Sequence, residues 1–368
     1  MYREGKAVIK YTKKSFLNPD AMMSRDISVA FASVFAKKDS KVIDTTSATG
    51  IRGIRYYLET PSKDITMLEM NDDVLESLKK NVKYNRVKAK IMGDSIQKFA
   101  NSTSDKFDII DLDPFGGATP YIYDLMKISK DGTYLMITVT DTAVLCGADY
   151  KACIRLYDAR PMHNEICHEV GMRILIGYVA KVAAQFNFGI EVLASFSYLH
   201  YMRIFVKIKH GSTSALDSVK KLGYVHCCTK CLYRHTEKST FPAMHKCEMC
   251  GAQLETAGKV WLGSLQDIHA VSAVVREMDG KQTYNSKSIE FMKGISQEID
   301  MPLYYEIPKI TRKMGIGSVS TNALILGLRS HGFLASRTHI SRYGIKTDAN
   351  IKQIKSAILE CMPKDRPS

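Results

Sequence analysis

The sequence predicts an α/β protein, with a larger domain built on a parallel sheet and a smaller α+β domain after it. Three observations support this. Short apolar strands alternate with helix-length segments, and four strands in a row end in an acidic residue. Two Cys-x-x-Cys pairs follow in the second half of the chain, where basic residues are also denser. The 368 residues are enough for two domains, and we place the boundary between residues 209 and 210.

The four strand-end acids are Asp44, Glu69, Asp94 and Asp113. Because the carboxyl ends of parallel strands meet at one edge of a sheet, we expect one ligand to lie across them. Glu69, which ends the second strand, is placed to accept hydrogen bonds from ribose hydroxyls. Asp94, which follows the third strand, is placed to accept from an adenine amine. The acids therefore predict a site for a ligand that carries both groups.

The loop after the first strand is rich in small residues over positions 45–53 and leads into a helix. Such a loop and helix N-terminus can cradle the polar end of a cofactor. The loop has neither the Gly-Lys-Ser/Thr ending of a P-loop nor the G-x-G-x-x-G pattern, so it suits an amino acid head group better than a pyrophosphate. We include Asp44 and Gly50 in the predicted cofactor site.

The fourth strand, over residues 107–112, runs directly into Asp113-Pro114-Phe115. The exocyclic amine of a nucleobase is a poor nucleophile because its lone pair is delocalised into the ring. Asp113 and the Pro114 carbonyl could each accept one N–H and localise that lone pair towards a methyl donor. Phe115 could stack on the base. An ordinary Asp-Pro turn at a strand end is the alternative interpretation.

Three further strands are expected to complete the sheet. One covers residues 134–137, and two paired strands cover 190–197 and 203–209. An apolar helix is predicted over 166–186, and a helix with an apolar stripe precedes the first strand over 27–35. These elements place the whole parallel sheet in the first domain.

The second domain contains a cysteine quartet, Cys228, Cys231, Cys247 and Cys250, in an element of about residues 226–252. Two Cys-x-x-Cys pairs at this separation have the spacing of a structural Zn²⁺ site with four thiolate ligands. Disulfides are the alternative, and they are rare inside cells. The histidines of the same stretch are expected at the surface, since four thiolates fill a tetrahedral site.

Net charge is concentrated in the second domain. From residue 210 onward there are 22 Lys and Arg against 14 Asp and Glu over 159 residues, whereas the first 209 residues carry only +6. A helix over 320–331 precedes a hairpin over 333–347 that carries Arg337 and Arg342. This pattern suggests a winged-helix-like surface that binds a polyanion. A basic surface that serves solubility alone is the alternative.

The composition favours an intracellular protein. Apolar residues make up 45% of the chain and charged residues 24%, but no apolar run approaches the roughly 20 residues that span a bilayer. The N-terminus has no signal-peptide pattern. We therefore expect a cytoplasmic protein without membrane association, and no obligate protein partner is evident.

Several motifs together resemble one known family over nearly the whole chain. They are Glu4-Gly5-Lys6, Phe16 with Asn18-Pro19, Arg25-Asp26, the glycine-containing stretch 47–55, the Asp-Pro-Phe-Gly stretch 110–116, residues 140–147 and 167–171, and the cysteine quartet. The sequence resembles the tRNA (guanine-N2)-dimethyltransferases that modify guanine-26, in particular the compact archaeal members.

The resemblance implies a class I, Rossmann-like methyltransferase that uses S-adenosylmethionine and acts on tRNA. It assigns Arg25 and Arg52 to the methionine end of the cofactor, Glu69 to the ribose, and Asp94 and Ser95 to the adenine. Asp113, Pro114 and Phe115 are assigned to catalysis. The residues that we expect to contact RNA are Phe16, Arg160, Arg337 and Arg342.

The chain departs from the family pattern at three positions. Glu69 stands where the family usually has aspartate, Ser95 where it has alanine and Gly117 where it has serine, so cofactor contacts are expected to differ in detail. Two other functions remain open at this point. One is an amino-methyltransferase acting on another RNA or DNA base, and the other is a tRNA-binding folding factor.

Overall fold

The chain is described by a computed structural model over residues 1–11 and 17–362. The predicted residue Phe16 lies outside this part. The strands are β1 (Tyr2–Glu4), β2 (Ala7–Ile9), β3 (Lys41–Asp44), β4 (Asp64–Leu68), β5 (Lys90–Met92), β6 (Ile109–Leu112), β7 (Tyr134–Val139), β8 (Phe188–Tyr198), β9 (Tyr201–His210), β10 (Leu222–Cys227), β11 (Arg234–Glu237), β12 (Glu255–Trp261), β13 (Tyr305–Glu306), β14 (Ala335–Arg337) and β15 (Gly344–Thr347).

The α-helices in the same part of the chain are α1 (Met22–Phe35), α2 (Ile51–Glu59), α3 (Asp72–Tyr84), α4 (Ile96–Ser102), α5 (Thr119–Lys127), α6 (Thr142–Leu145), α7 (Tyr150–Tyr157), α8 (Cys167–Ala184), α9 (Ser212–Val219), α10 (Ile268–Met278), α11 (Ser286–Ser296), α12 (Ile307–Met314), α13 (Thr321–Ser330) and α14 (Ile351–Glu360). None of these helices is both long and apolar enough to cross a membrane.

The central element is a seven-stranded sheet with the order β5-β4-β3-β6-β7-β9-β8. The first five strands in this order are parallel, β9 is antiparallel to β7, and β8 is antiparallel to β9. All seven strands that the sequence predicts are confirmed. After β3 the chain moves outward through β4 and β5, and then returns to the other side of β3 as β6. Ligands of open α/β sheets bind at such a reversal of strand order.

Both faces of the sheet are covered, because the buried strands are apolar on both sides. Along β6, Ile109 belongs to the hydrophobic cluster that includes α1, α2 and α3, whereas Ile110 belongs to the cluster that includes α4, α5 and α8. Along β7, Met136 and Ile137 divide in the same way. This alternation is the period of two expected of a strand, and it gives a three-layer sandwich.

The two hydrophobic clusters continue beyond residue 210. Val260 and Trp261 of β12 pack in the cluster around α8, and Val271 and Val274 of α10 pack in the cluster around α1. The predicted boundary therefore separates two parts of the chain that share their cores. A smaller cluster of its own joins α12, α13, β15 and α14, whereas the cysteine quartet lies beside the sheet β11-β10-β12.

Several motif residues meet in a buried ionic cluster at the N-terminal end. Glu4 accepts hydrogen bonds from Arg25 at 2.7 Å and from Arg55 at 2.9 Å. Arg55 also binds Asp26 at 2.7 Å, and Asp26 accepts from Ser288 of α11 at 2.8 Å. Buried charges are tolerated only when they are paired and hydrogen-bonded. The charges of this cluster meet that condition. The cluster therefore ties the N-terminal hairpin, α1 and α2 to a helix of the second half of the chain.

Candidate active site and metal centre

A cavity of about 360 Å³ opens at the carboxyl edge of the parallel strands. Its volume lies in the range of small-molecule sites, which is roughly 300–1,000 Å³. The residues that line it come from the segment before α1, the N-termini of α1, α2 and α4, the loop 45–49, the ends of β4, β5, β6 and β7, α5 and the start of β9. Among the predicted residues, the lining includes Arg25, Arg52, Glu69, Asp94, Ser95, Asp113, Pro114 and Phe115.

Two strand-end acids lie on the predicted cofactor side of the cavity. Glu69 accepts hydrogen bonds from the backbone N–H groups of Ala48 at 3.0 Å and Asn71 at 2.9 Å, which fix its carboxylate against the loop. An ionised carboxylate has about four acceptor positions, so Glu69 retains capacity for a ligand. Asp94 pairs with Lys98 at 2.6 Å, and the Ser95 hydroxyl caps α4 by accepting from the Lys98 N–H at 3.2 Å.

The Asp113-Pro114-Phe115 turn lies at the other side of the cavity. The Asp113 backbone N–H donates to Thr46 Oγ1 at 3.0 Å, and 28% of its side chain is exposed. Phe115 is 75% exposed. The turn is anchored to the end of β7, because Gly116 N–H donates to Thr140 Oγ1 and the Gly116 carbonyl accepts from Thr140 N–H, both at 2.9 Å. A carboxylate and an aromatic ring thus face the cavity from a fixed turn.

Two buried guanidinium groups bind Asp111, which lies in β6, and Asp113, which directly follows it. Arg203 donates to both carboxylate oxygens of Asp111, at 2.9 and 2.8 Å, and the Tyr56 hydroxyl donates to the same carboxylate. Arg52 lies between Asp111, at 3.4 Å, and Asp113, to which it donates a short hydrogen bond. Burial by itself would raise the pKa of Asp113, but the charges of Arg52 and Arg203 lower it below the usual value. Asp113 is therefore ionised at neutral pH.

Two predicted cofactor residues, Asp44 and Gly50, lie behind the cavity wall. Asp44 is buried and accepts from the Gly53 backbone N–H at 3.2 Å, which fixes the start of α2. Burial and the neighbouring Asp111 charge raise the pKa of Asp44 to about 7. Gly50 has φ = +82°, and a side chain there would meet Leu78. Asp44 and Gly50 therefore stabilise the conformation of the loop 45–49 and the start of α2, and do not line the cavity themselves.

The guanidinium groups of Arg25 and Arg52 are both bound to protein carboxylates, although both residues line the cavity. Arg25 pairs with Glu4 at 2.5 Å and also donates to the Asn18 carbonyl at 3.0 Å. Arg52 is bound between Asp111 and Asp113. The assignment of these arginines to the methionine end of a cofactor stays a prediction.

The predicted RNA-contacting arginines lie away from the cavity. Arg337 is exposed on β14 and binds Asn322 Oδ1 at 2.9 Å and the Arg342 carbonyl at 3.2 Å. Arg342 is exposed in the β14–β15 hairpin. Arg160 is exposed, and its backbone pairs with Gly258 beside β12. The helix and hairpin predicted around Arg337 are confirmed, whereas RNA contact stays a prediction.

The cysteine quartet converges as predicted. The four Sγ atoms lie within 4.8 Å of one another, with 3.5 Å between Cys228 and Cys250 and between Cys231 and Cys247. The two knuckles repeat one geometry: the N–H of Leu232 donates to the Cys228 carbonyl and that of Gly251 to the Cys247 carbonyl, both at 2.8 Å. Both of these donors have positive φ, 69° and 70°. All four cysteines are free thiols, and the set fits a tetrahedral thiolate site.

One histidine of this stretch corrects the sequence-based expectation. His226 is buried on β10 instead of lying at the surface, and its two ring nitrogens contact Thr256 at 3.0 Å and Glu237 at 2.9 Å. Among the residues that the structure describes, His226 is not part of the group of cysteines that could hold a metal ion. The histidine supports the sheet next to that group.

Sequence analysis missed several residues around the Asp111 and Asp113 carboxylates. The role of Arg203 could have been predicted from the sequence, because a charged side chain between Met202 and Ile204 in a buried apolar strand needs a partner of opposite charge. No sequence pattern identifies Thr46 and Thr138, because their contacts depend on how the neighbouring strands are placed. Thr138 accepts from Arg203, and Thr46 accepts from the Asp113 backbone.

The sheet order, the reversal between β3 and β6 and the cavity across the strand-end acids define a class I, Rossmann-like methyltransferase domain, which confirms the predicted fold class. The sequence model of the N2,N2-dimethylguanosine tRNA methyltransferase family matches residues 2–359, and the chain belongs to this family.

Individual relatives agree with this membership. The tRNA (guanine(26)-N(2))-dimethyltransferase of Methanothermobacter thermautotrophicus is 33% identical over 355 residues, which cover 95% of this chain and 93% of the relative. The enzyme of the same name from Pyrococcus horikoshii is 35% identical over 371 residues, with 94% of both chains covered. The solved structure of Trm1 from Pyrococcus horikoshii with S-adenosyl-L-methionine has a TM-score of 0.89 and 34% identity, and covers 97% of this chain and 99% of that chain.

Proposed function

We propose that this protein transfers methyl groups from S-adenosyl-L-methionine to the exocyclic N2 of guanine-26 in tRNA, giving N2,N2-dimethylguanosine. The observation that carries the proposal is one cavity that is lined both by Asp113-Pro114-Phe115 and by Glu69 and Asp94. The relatives named for this reaction match the chain over more than nine-tenths of its length.

Asp113 is the residue proposed to act on the amine. Its ionised carboxylate can accept one N2–H, and the Pro114 carbonyl can accept the other, so the lone pair is localised on N2 and directed towards the methyl donor. Bound S-adenosyl-L-methionine would supply the methyl group. After transfer, the nitrogen must lose a proton, and the carboxylate is the acceptor for it. Arg52 holds this carboxylate in place and keeps it ionised.

Phe115 and the basic surface are proposed to hold the base and the RNA. An exposed ring next to the carboxylate can stack on a guanine that has left the tRNA stack. Unstacking a base costs about a few kcal/mol, and phosphate contacts made by Arg160, Arg337 and Arg342 would offset this cost. Phe16, which we also expected at the RNA, lies outside the described residues.

Glu69 provides a test of the cofactor side. Replacing it by alanine removes the acceptor proposed for the ribose hydroxyls and the partner of the Ala48 N–H. We expect Glu69→Ala to weaken cofactor affinity about 10- to 100-fold, since hydrogen bonds to charged groups are worth about 1.5–3 kcal/mol. Calorimetric titration with the cofactor measures this. Glu69→Asp, which restores the residue usual in the family, is the matched control and should bind well. An unchanged dissociation constant for Glu69→Ala would contradict the assignment.

The cysteine quartet is proposed to hold one structural Zn²⁺. Cys228, Cys231, Cys247 and Cys250 would supply four thiolates and leave no position for water or substrate, so the metal would have no part in the chemistry. Its role would be to fix the two knuckles next to β10.

We expect one zinc per chain in protein purified under reducing conditions, measured by elemental analysis. Cys247→Ser should abolish metal binding and lower the melting temperature, because the binding free energy of a structural zinc is also folding free energy. Cys361→Ser is the matched control, since Cys361 is a half-buried thiol elsewhere that contacts the Ala323 carbonyl. Metal-free wild-type protein, or intact disulfides seen by mass spectrometry, would refute the proposal.

The reaction itself is tested with labelled cofactor and unmodified tRNA. After incubation with the purified protein, digestion of the tRNA identifies the methylated nucleoside and its position. The expected product is N2,N2-dimethylguanosine at position 26. Label at another base would favour the broader amino-methyltransferase, and tRNA binding without any label would favour a folding factor.

A further inference from the structure

Two buried hydroxyl groups of the described chain, Ser24 Oγ and Tyr201 Oη, make no hydrogen bond within the protein. Both residues line the cavity, and 2% of Ser24 and 8% of Tyr201 is exposed. Native proteins rarely leave a buried polar group without a partner, because the group loses its hydrogen bonds to water on folding. Such groups at a cavity indicate a ligand that completes the bonding.

Both hydroxyls belong to the Asp113 side of the cavity. Ser24 lies one helical turn before Ser28 on α1, and Ser28 Oγ accepts from Arg52 at 2.9 Å. Tyr201 lies two residues before Arg203 on β9, on the same face of the strand. Arg52 and Arg203 are the residues that bind the Asp111 and Asp113 carboxylates. The two hydroxyls therefore belong to one cavity but come from different elements, α1 and β9.

The Tyr201 hydroxyl stays protonated and can therefore donate a hydrogen bond. Burial raises its pKa, the Arg203 charge lowers it, and the nearby Asp113 charge raises it again, so that the pKa lies above the ordinary value. The group is therefore protonated at any working pH. A serine hydroxyl can donate as well. Acceptor atoms of a ligand are therefore suitable partners for both hydroxyls.

The base in the proposed reaction has acceptor atoms that hydroxyl donors can bind. When the guanine N2–H groups are bound by Asp113 and the Pro114 carbonyl, the edge that carries N2 still presents N3 on one side and O6 beyond N1. Neither Asp113 nor the Pro114 carbonyl can donate a hydrogen bond to these atoms, because both are acceptors. Hydroxyl donors next to Asp113 could supply the hydrogen bonds that N3 and O6 accept.

We propose that the Ser24 and Tyr201 hydroxyls donate hydrogen bonds to the acceptor atoms of the target guanine and thereby orient its N2 towards Asp113. This inference rests on the proposed function and adds the residues that recognise the base. Removing either hydroxyl leaves a guanine acceptor without its bond in a closed site, which site-specific recognition penalises. Because the bond forms when the base enters the site, the loss should appear mainly in KM for tRNA.

The test uses the full-length variants Tyr201→Phe and Ser24→Ala with wild-type protein. We expect kcat/KM for tRNA to fall about 10-fold in each, as for a lost hydrogen bond in a buried site, and cofactor affinity to be unchanged. The melting temperature should stay equal or rise, because each substitution removes a buried polar group that has no partner in the protein. Residues that only support the structure would show the opposite, a lower melting temperature.

Tyr198→Phe is the matched control, since Tyr198 is a half-buried tyrosine on the same hairpin and does not line the cavity. It should leave kcat/KM unchanged. Wild-type kcat/KM in Tyr201→Phe, with the wild-type enzyme active, would overturn this inference alone. Weaker cofactor binding with an unchanged KM for tRNA would also overturn it, because the hydroxyls would then bind the methionine carboxylate. An inactive wild-type protein would instead contradict the proposed function.

Discussion

Asp113→Ala is expected to lower methyl transfer to tRNA by about 10²–10⁴-fold, the range in which loss of a positioned acid or base falls. The side chain is ionised, lies at the cavity and is fixed by Arg52. Its loss removes both the acceptor that orients the amine and the acceptor of its proton. The rate is measured in single turnover with labelled cofactor at saturating concentration.

Two further variants separate the roles in this prediction. Asp113→Asn keeps the shape and loses the charge, so it should be nearly as inactive. Asp105→Ala is the control, because Asp105 pairs with Lys41 at 2.8 Å just before β6, at the amino end of the sheet. It should have wild-type activity. The cofactor dissociation constant of Asp113→Ala should stay within a few-fold of wild type. Near-normal single-turnover rates in this variant would exclude Asp113 from catalysis.

The fragment 1–209 is expected not to fold, although the sequence suggests that it contains a complete catalytic domain. Trp261 and Val260 complete the cluster around α8, and Val271, Val274 and Met278 complete the cluster around α1. Each buried large apolar side chain contributes about 1.5–3 kcal/mol, and domains are stable by only about 5–15 kcal/mol. Loss of these five side chains therefore costs about 7.5–15 kcal/mol, which is as large as the whole stability of an ordinary domain.

The measurement is the cooperative thermal transition of the purified fragment, followed by near-ultraviolet circular dichroism. We expect aggregation or no transition. Full-length Arg337→Ala/Arg342→Ala is the control that should keep the wild-type transition, because both side chains are exposed. A soluble fragment with a sharp transition would show that residues 1–209 have a sufficient core of their own.

Elements that depend on local patterns could be located from the amino-acid sequence. The strands that end at or just before Asp44, Glu69, Asp94 and Asp113 could be located because apolar runs, turns and strand-end acids involve residues that are adjacent in the chain. The Cys-x-x-Cys spacing determined the cysteine site for the same reason, since each knuckle closes within five residues. The shared edge of the sheet followed from the βα alternation alone.

Contacts between side chains of different elements are seen only in the folded chain. It placed Arg52 between Asp111 and Asp113, paired Arg25 with Glu4, and brought Ser24 and Tyr201 to one cavity from α1 and β9. It also joined helices from beyond residue 210 to the core of the sheet. Contacts of this kind join residues far apart in the chain and depend on packing. Such long-range contacts cannot be predicted from a local pattern in the sequence.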